Sequence, residues 1–368
     1  MTASQGPLSG VRVVELVGQG PGPMGATILA DLGCDVVAVD RPSVAQKAKR
    51  ERPSISPFTR GKRTISLDLK NVDDVAVLKE LIEHADVFVD PFRPGVCERL
   101  GIGPDACLAL NPRLIFARMT GFGQDGPFAQ VAGHDINYIS LSGVLDMLGQ
   151  SDGVPQPPIN LLGDFAGGGM LLAMGVSAAL VHQRTTGQGQ VIDVSMVEGA
   201  ALVGGTFFPG VDTGNWGPRG TNHLDGAAPF YGVFECRDGK YFAIGAIEDQ
   251  FFAELIHRMQ FEDFGPQWDK SIWPAQKIKM AEMFATRTRD EWSELLEGFE
   301  TCATPVLSAK EVETHRHTRA RGTVVRRNGG LHAQAAPRFS ATPTNAGEPV
   351  HPGSHTAQEV LQSWQTPN

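Results

Sequence analysis

The stretch that decides the fold is Val11-Arg12-Val13-Val14-Glu15-Leu16, followed by the loop Gly18-Gln19-Gly20-Pro21-Gly22-Pro23 and by the run from Ala26 to Asp40. The first six residues are apolar enough for a buried strand, and residues 26–32 carry apolar side chains at helical spacing. Gly33 ends that helix, and a second apolar run at residues 35–39 ends at Asp40. A strand, a helix and a strand in this order predict a parallel pair in an α/β sheet.

The same alternation continues along the chain and then changes. Further strands are predicted at residues 64–67, 87–89 and 114–118, with a helix at 72–84. These elements predict a parallel sheet with helices on both faces. A helix packed on most sides is predicted at residues 170–181, and another strand at 191–196. From about Ala228 the pattern is that of a hairpin, residues 230–236 and 241–245, followed by helices near 249–258, 274–285 and 290–299. A smaller α+β domain is therefore expected after the α/β domain.

Composition excludes several classes of protein. The chain has 368 residues, more than one ordinary domain, and a net charge of −9, which disfavours nonspecific binding of nucleic acid. Its five cysteines are an odd number without a C-x-x-C pair, so neither a disulfide scaffold nor a zinc site is expected. The sequence shows no signal peptide and no uninterrupted run of about 18 apolar residues. We therefore expect a cytoplasmic protein without a membrane span.

The glycine- and proline-rich loop at residues 18–23 resembles a dinucleotide-binding turn only in part. It follows a strand, opens a helix and precedes Asp40 by about 20 residues. However, Pro23 occupies the position of the third glycine, and Pro21 and Pro23 lack the N–H groups that a pyrophosphate would bind. A tight turn, rather than an NAD or FAD site, is the better interpretation.

Basic side chains recur near the predicted strand ends, where ligands bind in open α/β sheets. Arginine forks suit phosphate oxygens, so a phosphate-binding cluster and an ordinary solvated surface are both open interpretations of these residues. The residues concerned are Arg41, Arg60, Lys62, Arg63, Lys70, Arg93 and Arg99.

Two glycine-flanked segments each carry a titratable group. Gly133-His134-Asp135 supplies an imidazole, and Gly163-Asp164 supplies a carboxyl group 30 residues beyond His134. Together they suit the movement of one proton between two faces of a carbon atom, provided that the segments meet. The alternatives are a structural histidine and a helix N-cap at Asp164. Glu248, between a strand and a helix, is a third candidate acid, because a carboxylate can orient an imidazole.

Motifs along most of the chain resemble those of the α-methylacyl-CoA racemases, within the family III CoA-transferase superfamily. The resemblance covers roughly Gly10 to Leu307. Its motifs are residues 133–138 (GHDINY), 160–169 (NLLGDFAGGG), 187–193 (GQGQVID), 93–96 (RPGV), 61–63 (GKR), 228–231 (APFY), 245–248 (GAIE) and 302–307 (CATPVL).

The resemblance implies an interlocked homodimer with a Rossmann-like large domain built from both chain ends. This domain would span residues 1–186 and 318–368, with a connector at 187–224, a small α+β domain at 225–310 and a return linker at 311–317. The active site would lie between the large domain of one subunit and the small domain of the other.

The resemblance also implies the site and its chemistry. His134, supported by Asp135 and Glu248, and Asp164 would be the two catalytic groups. Contacts to CoA would fall on Arg41, Leu67, Asp68, Leu69, Lys70, Asp90, Arg93, Arg99, Gly133, Asn137 and Tyr138. The implied reaction interconverts (2R)- and (2S)-2-methylacyl-CoA thioesters through an enolate, without a metal or a cofactor other than the CoA of the substrate. Burial beside Leu162 and Phe165 would raise the pKa of Asp164.

Two alternatives remain on the sequence alone. A CoA-transferase would use Asp164 as a nucleophile, and a non-catalytic acyl-CoA-binding protein would need the arginines but not the acids and the histidine. The chain also departs from the family pattern at Asp249, where proline is common, and at residues 45–57, which look longer and more polar than usual.

Overall fold

A computed structural model of the chain describes residues 5–51, 56–261, 263–327 and 330–365. The chain forms two compact units. The first takes the described residues within 1–142, 158–204 and 322–368, and the second takes those within 143–157 and 205–321. Residues 187–204, which the sequence placed in a connector, therefore belong to the first unit, because a strand at 190–195 completes its sheet.

The first unit contains a six-stranded parallel sheet in the order β3-β2-β1-β4-β5-β6. The alternating pattern predicted the parallel sheet, and the Rossmann-like order of its strands agrees with the domain that the family resemblance implied. All six strands lie between residues 12 and 195, and the described part of the C-terminal return adds no strand to this sheet. The strands are β1 Arg12–Leu16, β2 Asp35–Asp40, β3 Arg63–Ser66, β4 Val87–Asp90, β5 Ile115–Thr120 and β6 Gln190–Ser195.

The strands are apolar on both faces because each face carries a core. Val13 belongs to the core on one side and Val14 to the core on the other, as expected from the period of two residues in a strand. Parallel sheets covered on both faces read as continuous apolar runs, which is why residues 11–16 and 35–39 were recognisable.

Helices of the first unit cover these two faces. The helix α1 starts with Pro21 and Pro23 in its first turn, where backbone N–H groups have no intrahelical partner. The helices are α1 Pro21–Asp31, α2 Pro42–Glu51, α3 Val72–Glu83, α4 Val96–Arg99, α5 Pro104–Leu110, α6 Asp135–Leu141, a π-helix Leu161–Met170, α7 Leu171–Thr186, α8 Met196–Gly204 and, near the C-terminus, α14 Ala357–Gln365.

The π-helix and α7 form one continuous apolar segment of 26 residues, Leu161–Thr186. Length and composition alone would allow it to cross a membrane. Leu172, Val176 and Leu180 are nevertheless buried in the core against the sheet, as in a core helix of a globular domain. The opposite face is exposed at Met174 (60%) and Val181 (67%), so the prediction that this helix is packed on most sides was wrong for the chain by itself.

The C-terminal return closes the first unit with α14. Val360 and Leu361 join the core beside α3, and the indole of Trp364 lies between the guanidinium groups of Arg12 and Arg63, each 5.6 Å from the ring centroid. The indole Nε1 donates to Asp35 Oδ2 at 2.7 Å. This unit also holds a separate antiparallel pair, β10 Val324–Arg327 and β11 Gly330–Ala333.

The second unit is an α+β domain with an antiparallel three-stranded sheet in the order β7-β8-β9. Its strands are β7 Tyr231–Glu235, β8 Tyr241–Gly245 and β9 Ala303–Pro305; its helices are α9 Phe208–Thr213, α10 Asp249–Met259, α11 Trp273–Phe284, α12 Arg289–Leu296 and α13 Arg316–Arg321. Its core is aromatic, around Phe230, Phe242, Phe284 and Trp292. The predicted hairpin is present as β7 and β8. The helix α12 ends before the predicted residue 299, and Gly298 at φ 90° follows it.

Candidate active site

A cavity of about 420 Å³ opens at the carboxyl end of the parallel sheet in the first unit, between the loop after β1 and the loop after β5. It brings together the two segments whose convergence the sequence could not show, because His134 and Asp164 both line it. The lining residues are Gln19, Gly20, Pro21, Gly22, Pro91, Phe92, Arg93, Pro94, Met119, Thr120, Gly121, Phe122, Ala129, Val131, Ala132, Gly133, His134, Tyr138, Asp164 and Met196.

The loop that carries His134 is fixed by its own helix. His134 is the N-cap residue of α6, and its backbone N–H donates to Asn137 Oδ1 at 3.0 Å. The hydroxyl of Tyr138 donates to the carbonyl of Gly133, and its ring packs edge-on against Phe122 at 5.0 Å. The backbone around His134 is therefore braced, while the histidine itself is solvent-exposed in the single chain.

Asp164 lies in the first half of the π-helix and is partly buried. Wide turns of this kind are rare and occur frequently at functional sites. The amide Nδ2 of Asn160 donates to Asp164 Oδ2 at 3.0 Å. Gly20, at φ 64°, faces the same carboxyl group, and a Cβ atom there would stand 3.0 Å from Oδ2. Only glycine combines this backbone conformation with such a close approach.

Burial raises the pKa of the Asp164 carboxyl group above its ordinary value, as predicted from its apolar neighbours. The hydrogen bond from Asn160 opposes this shift, the negative charge of Asp135 adds to it, and His134 opposes it. The carboxyl group is therefore easier to protonate than an exposed aspartate, which is the property that a proton donor requires.

Asp135 makes a different contact from the one expected. It is almost fully buried, and its Oδ1 accepts a hydrogen bond from the backbone N–H of Asp164 at 2.7 Å. Its carboxylate thus binds the second catalytic segment, whereas the resemblance assigned it to the support of His134.

The other expected support, Glu248, lies in the second unit. It is exposed at the N-cap of α10, where its carbonyl accepts the N–H groups of Phe251 and Phe252 at 3.0 Å. Asp249, the departure from the family pattern, accepts a hydrogen bond from Trp268 Nε1 at 3.0 Å. The loop that carries Glu248 is therefore anchored by a side-chain contact. Residues 45–57, the second departure from the family pattern, lie partly outside the described residues, at positions 52–55.

The expected CoA contacts divide into three groups. Arg93, Gly133 and Tyr138 line the cavity beside His134. Asn137 holds the backbone of the His134 loop, and Asp90 is buried, accepting from Phe92 N–H at 2.9 Å. The remaining ones do not line this cavity; they are Arg41, Leu67, Asp68, Leu69, Lys70 and Arg99.

Three of the basic residues near the predicted strand ends are structural. Lys62 is buried and donates to Glu15 Oε2 at 2.6 Å, while Arg60 and Arg63 pair with Asp31 and Asp35. The phosphate interpretation is wrong for these three because they precede β3 or begin it, and so do not lie at its carboxyl end.

Sequence analysis missed two residues of the site. Asn160 stands four positions before Asp164, a spacing at which side chains share a helix face, but its side chain was not connected with catalysis. Gly20 was treated only as part of a turn, since no sequence signal shows which side chain approaches it. Within the described residues, no group of three or more His, Cys, Asp or Glu is placed to hold a metal ion.

Comparison with known proteins gives a consistent result. The model of the CoA-transferase family III matches residues 8–356. The chain is 43% identical over 363 residues to alpha-methylacyl-CoA racemase of Mus musculus, covering 97% of this chain and 93% of that protein. It is 31% identical to the succinyl-CoA–L-malate CoA-transferase beta subunit of Chloroflexus aurantiacus, over 87% of this chain and 83% of that one.

Among solved structures, a CAIB/BAIF family protein from Brucella suis superimposes with a TM-score of 0.84 and 24% identity, covering 98% of this chain and all of that one. At this identity the likeness concerns the fold. The family match and the 43% identical relative together establish that the chain belongs to the CoA-transferase family III.

Proposed function

We propose that the protein is an isomerase that interconverts (2R)- and (2S)-2-methylacyl-CoA thioesters. The observation that carries the proposal is that His134 and Asp164 line one cavity, where burial keeps the Asp164 carboxyl group easy to protonate. Similarity to a racemase of this class over almost the whole chain supports it. The reaction needs two groups that exchange protons with opposite faces of one carbon, and an imidazole and a carboxyl group have the acid–base chemistry for this.

In the proposed reaction, His134 removes the α-proton of one epimer and protonated Asp164 delivers a proton to the opposite face. The reverse reaction exchanges these roles. The thioester oxygen becomes negatively charged in the enolate, and backbone N–H groups of the Gly133–Asp135 loop are the proposed donors to it. The N–H of His134 already donates to Asn137, so Gly133 and Asp135 are the better candidates.

Binding of the CoA part is proposed to involve Arg93, Gly133 and Tyr138 in the cavity, and Arg41, Leu67–Lys70 and Arg99 outside it. CoA enters as part of the substrate, and the proposed reaction uses no further cofactor and no metal. We also propose that the protein works in the cytoplasm.

The test is the incorporation of deuterium. Both epimers of a 2-methylacyl-CoA are incubated with the protein in deuterated water, and the label at C2 and the epimer ratio are measured by mass spectrometry and chiral chromatography. We expect the label to enter either epimer and the ratio to approach equality. A parallel sample with a second carboxylic acid reports CoA transfer; transfer without deuterium incorporation would support the transferase alternative, and binding without either reaction would support a non-catalytic protein.

A homodimer is the proposed assembly, with Glu248 of one subunit supporting His134 of the other. Exposed apolar side chains of the first unit support this, since Met174, Val181 and Leu202 are 60%, 67% and 67% exposed in the single chain, and large apolar patches on a surface mark interaction sites. Sedimentation should give twice the mass of one chain. Mixing inactive His134→Gln with inactive Glu248→Gln subunits should restore activity in part, because a mixed dimer carries one intact site. A monomer, or no restoration after subunit exchange, would contradict the proposal.

A further inference from the structure

The contact between Asp135 and Asp164 joins the two catalytic segments of the cavity. Asp135 follows His134 directly in the chain, so a bond from its side chain to residue 164 links the neighbour of one proposed base to the backbone of the other. The bond is short, 2.7 Å from Asp135 Oδ1 to the backbone nitrogen of Asp164, and Asp135 is 4% exposed. A hydrogen bond to a buried carboxylate is among the stronger ones in proteins.

The N–H of Asp164 needs such a partner. Asp164 is the fourth residue of the π-helix, and the first N–H groups of any helix lack an intrahelical acceptor. The acceptor here comes from the first residue of α6 instead of from a residue next to the helix. The start of the π-helix is therefore positioned by the segment that carries His134.

Gly163 supplies independent evidence that the two segments are closely fitted. A Cβ atom on Gly163 would stand 2.7 Å from Asp135 Oδ1 and 3.1 Å from its Cγ, closer than side chains approach each other. The absence of a side chain at position 163 is therefore what lets the carboxylate reach the next backbone nitrogen.

From these contacts we propose that Asp135 is a positioning residue that sets the spacing between His134 and Asp164 by binding the backbone of Asp164. The proposal rests on the racemase function proposed above. This role differs from support of the His134 imidazole, because the Asp135 carboxylate binds the backbone of Asp164, the other proposed base.

The charge of Asp135 has a second, separable effect. Asp135 raises the pKa of the Asp164 carboxyl group, whereas Asn160 and His134 lower it. Burial, and then the charge of Asp164, raise the pKa of Tyr138 in turn. Asp135→Asn removes the charge and keeps an acceptor oxygen, whereas Asp135→Ala removes both. Both variants should shift the Asp164 limb of the pH–rate profile to lower pH, but only alanine should lower the maximal rate.

The test compares these two variants with the parent protein. We expect Asp135→Ala to lower kcat for racemisation about 10- to 100-fold, the cost of losing one hydrogen bond to a charged group, with KM little changed. We expect Asp135→Asn to retain most of the rate. Amide hydrogen exchange followed by mass spectrometry should show faster exchange at residues 160–170 in the alanine variant only. Gly163→Ala should act like Asp135→Ala; Gly175→Ala is its matched control, because a Cβ there meets only Ile192 at 3.5 Å.

An unchanged rate in Asp135→Ala, equal losses in both variants, or unchanged amide exchange at residues 160–170 would each overturn the proposal. If the parent protein incorporates no deuterium into any thioester, the proposed racemase function fails. Amide exchange then still tests whether Asp135 positions the backbone of Asp164, because that measurement needs no substrate.

Discussion

Replacement of Asp164 by asparagine is expected to lower α-hydrogen exchange and racemisation by about 100- to 10,000-fold, the contribution typical of one positioned acid or base. Asparagine preserves the size of the side chain and an oxygen for the amide of Asn160, but it cannot donate the proton that the enolate requires. The loss should therefore appear in kcat. The experiment measures the incorporation of deuterium at C2, starting from each epimer separately.

Burial of Asp164 adds a pH dependence to this expectation. Because its pKa is raised, the protonated form persists to higher pH than for an exposed aspartate, and the direction in which Asp164 donates slows as pH rises through that pKa. The asparagine variant should lose this limb of the profile. Asp193→Asn is the matched control, since burial also raises the pKa of Asp193, which does not line the cavity. Parent-like racemisation by Asp164→Asn, or parent-like exchange from both epimers, would remove Asp164 from the mechanism.

Replacement of His134 by glutamine is expected to cause a loss of similar size, about 100- to 10,000-fold, because glutamine has no basic nitrogen at neutral pH. The backbone N–H of His134 keeps its bond to Asn137, so the loop should retain its shape. The small residual exchange should come from the epimer whose α-hydrogen faces Asp164, whereas the Asp164 variant should leave exchange from the other epimer.

His182→Gln is the control for this experiment, because His182 is an exposed histidine of α7 and does not line the cavity. It should behave like the parent protein. If the two catalytic variants retained exchange from the same epimer, the two groups would not act on opposite faces, and the two-base scheme would be wrong.

Much of the fold could be predicted because its signals are local. The apolar runs at residues 11–16 and 35–39 and the glycine at 33 define strands and a helix end without knowledge of their neighbours. The strand β6 was also recognised, but its place was not, because nothing local shows that residues 190–195 pair with β5 rather than belonging to a connector. Pairing between residues 75 positions apart, such as Ile115 and Gln190, is a tertiary property.

The types of residue in the site could be predicted, but the contacts that their side chains make were predicted less well. His134 and Asp164 stand in distinctive glycine-flanked segments, and they line one cavity as required. The contact of Asp135 with the N–H of Asp164 was not predicted, because adjacency in the chain pointed only to His134; the support of His134 by Asp135 stays a prediction. For Lys62 and Arg63 the sequence left ligand binding and a solvated surface both open, because charge alone does not reveal a buried acidic neighbour such as Glu15.

The position of Trp364 has a consequence for synthesis on the ribosome. Its indole is held by Arg12, Asp35 and Arg63, so strands β1, β2 and β3 receive this cover only when residue 364 has emerged. The second unit draws most of its residues from one continuous run that is translated earlier, and domains generally fold as units during translation. The second unit can therefore mature first, while the first unit is completed only after residue 364 has been translated.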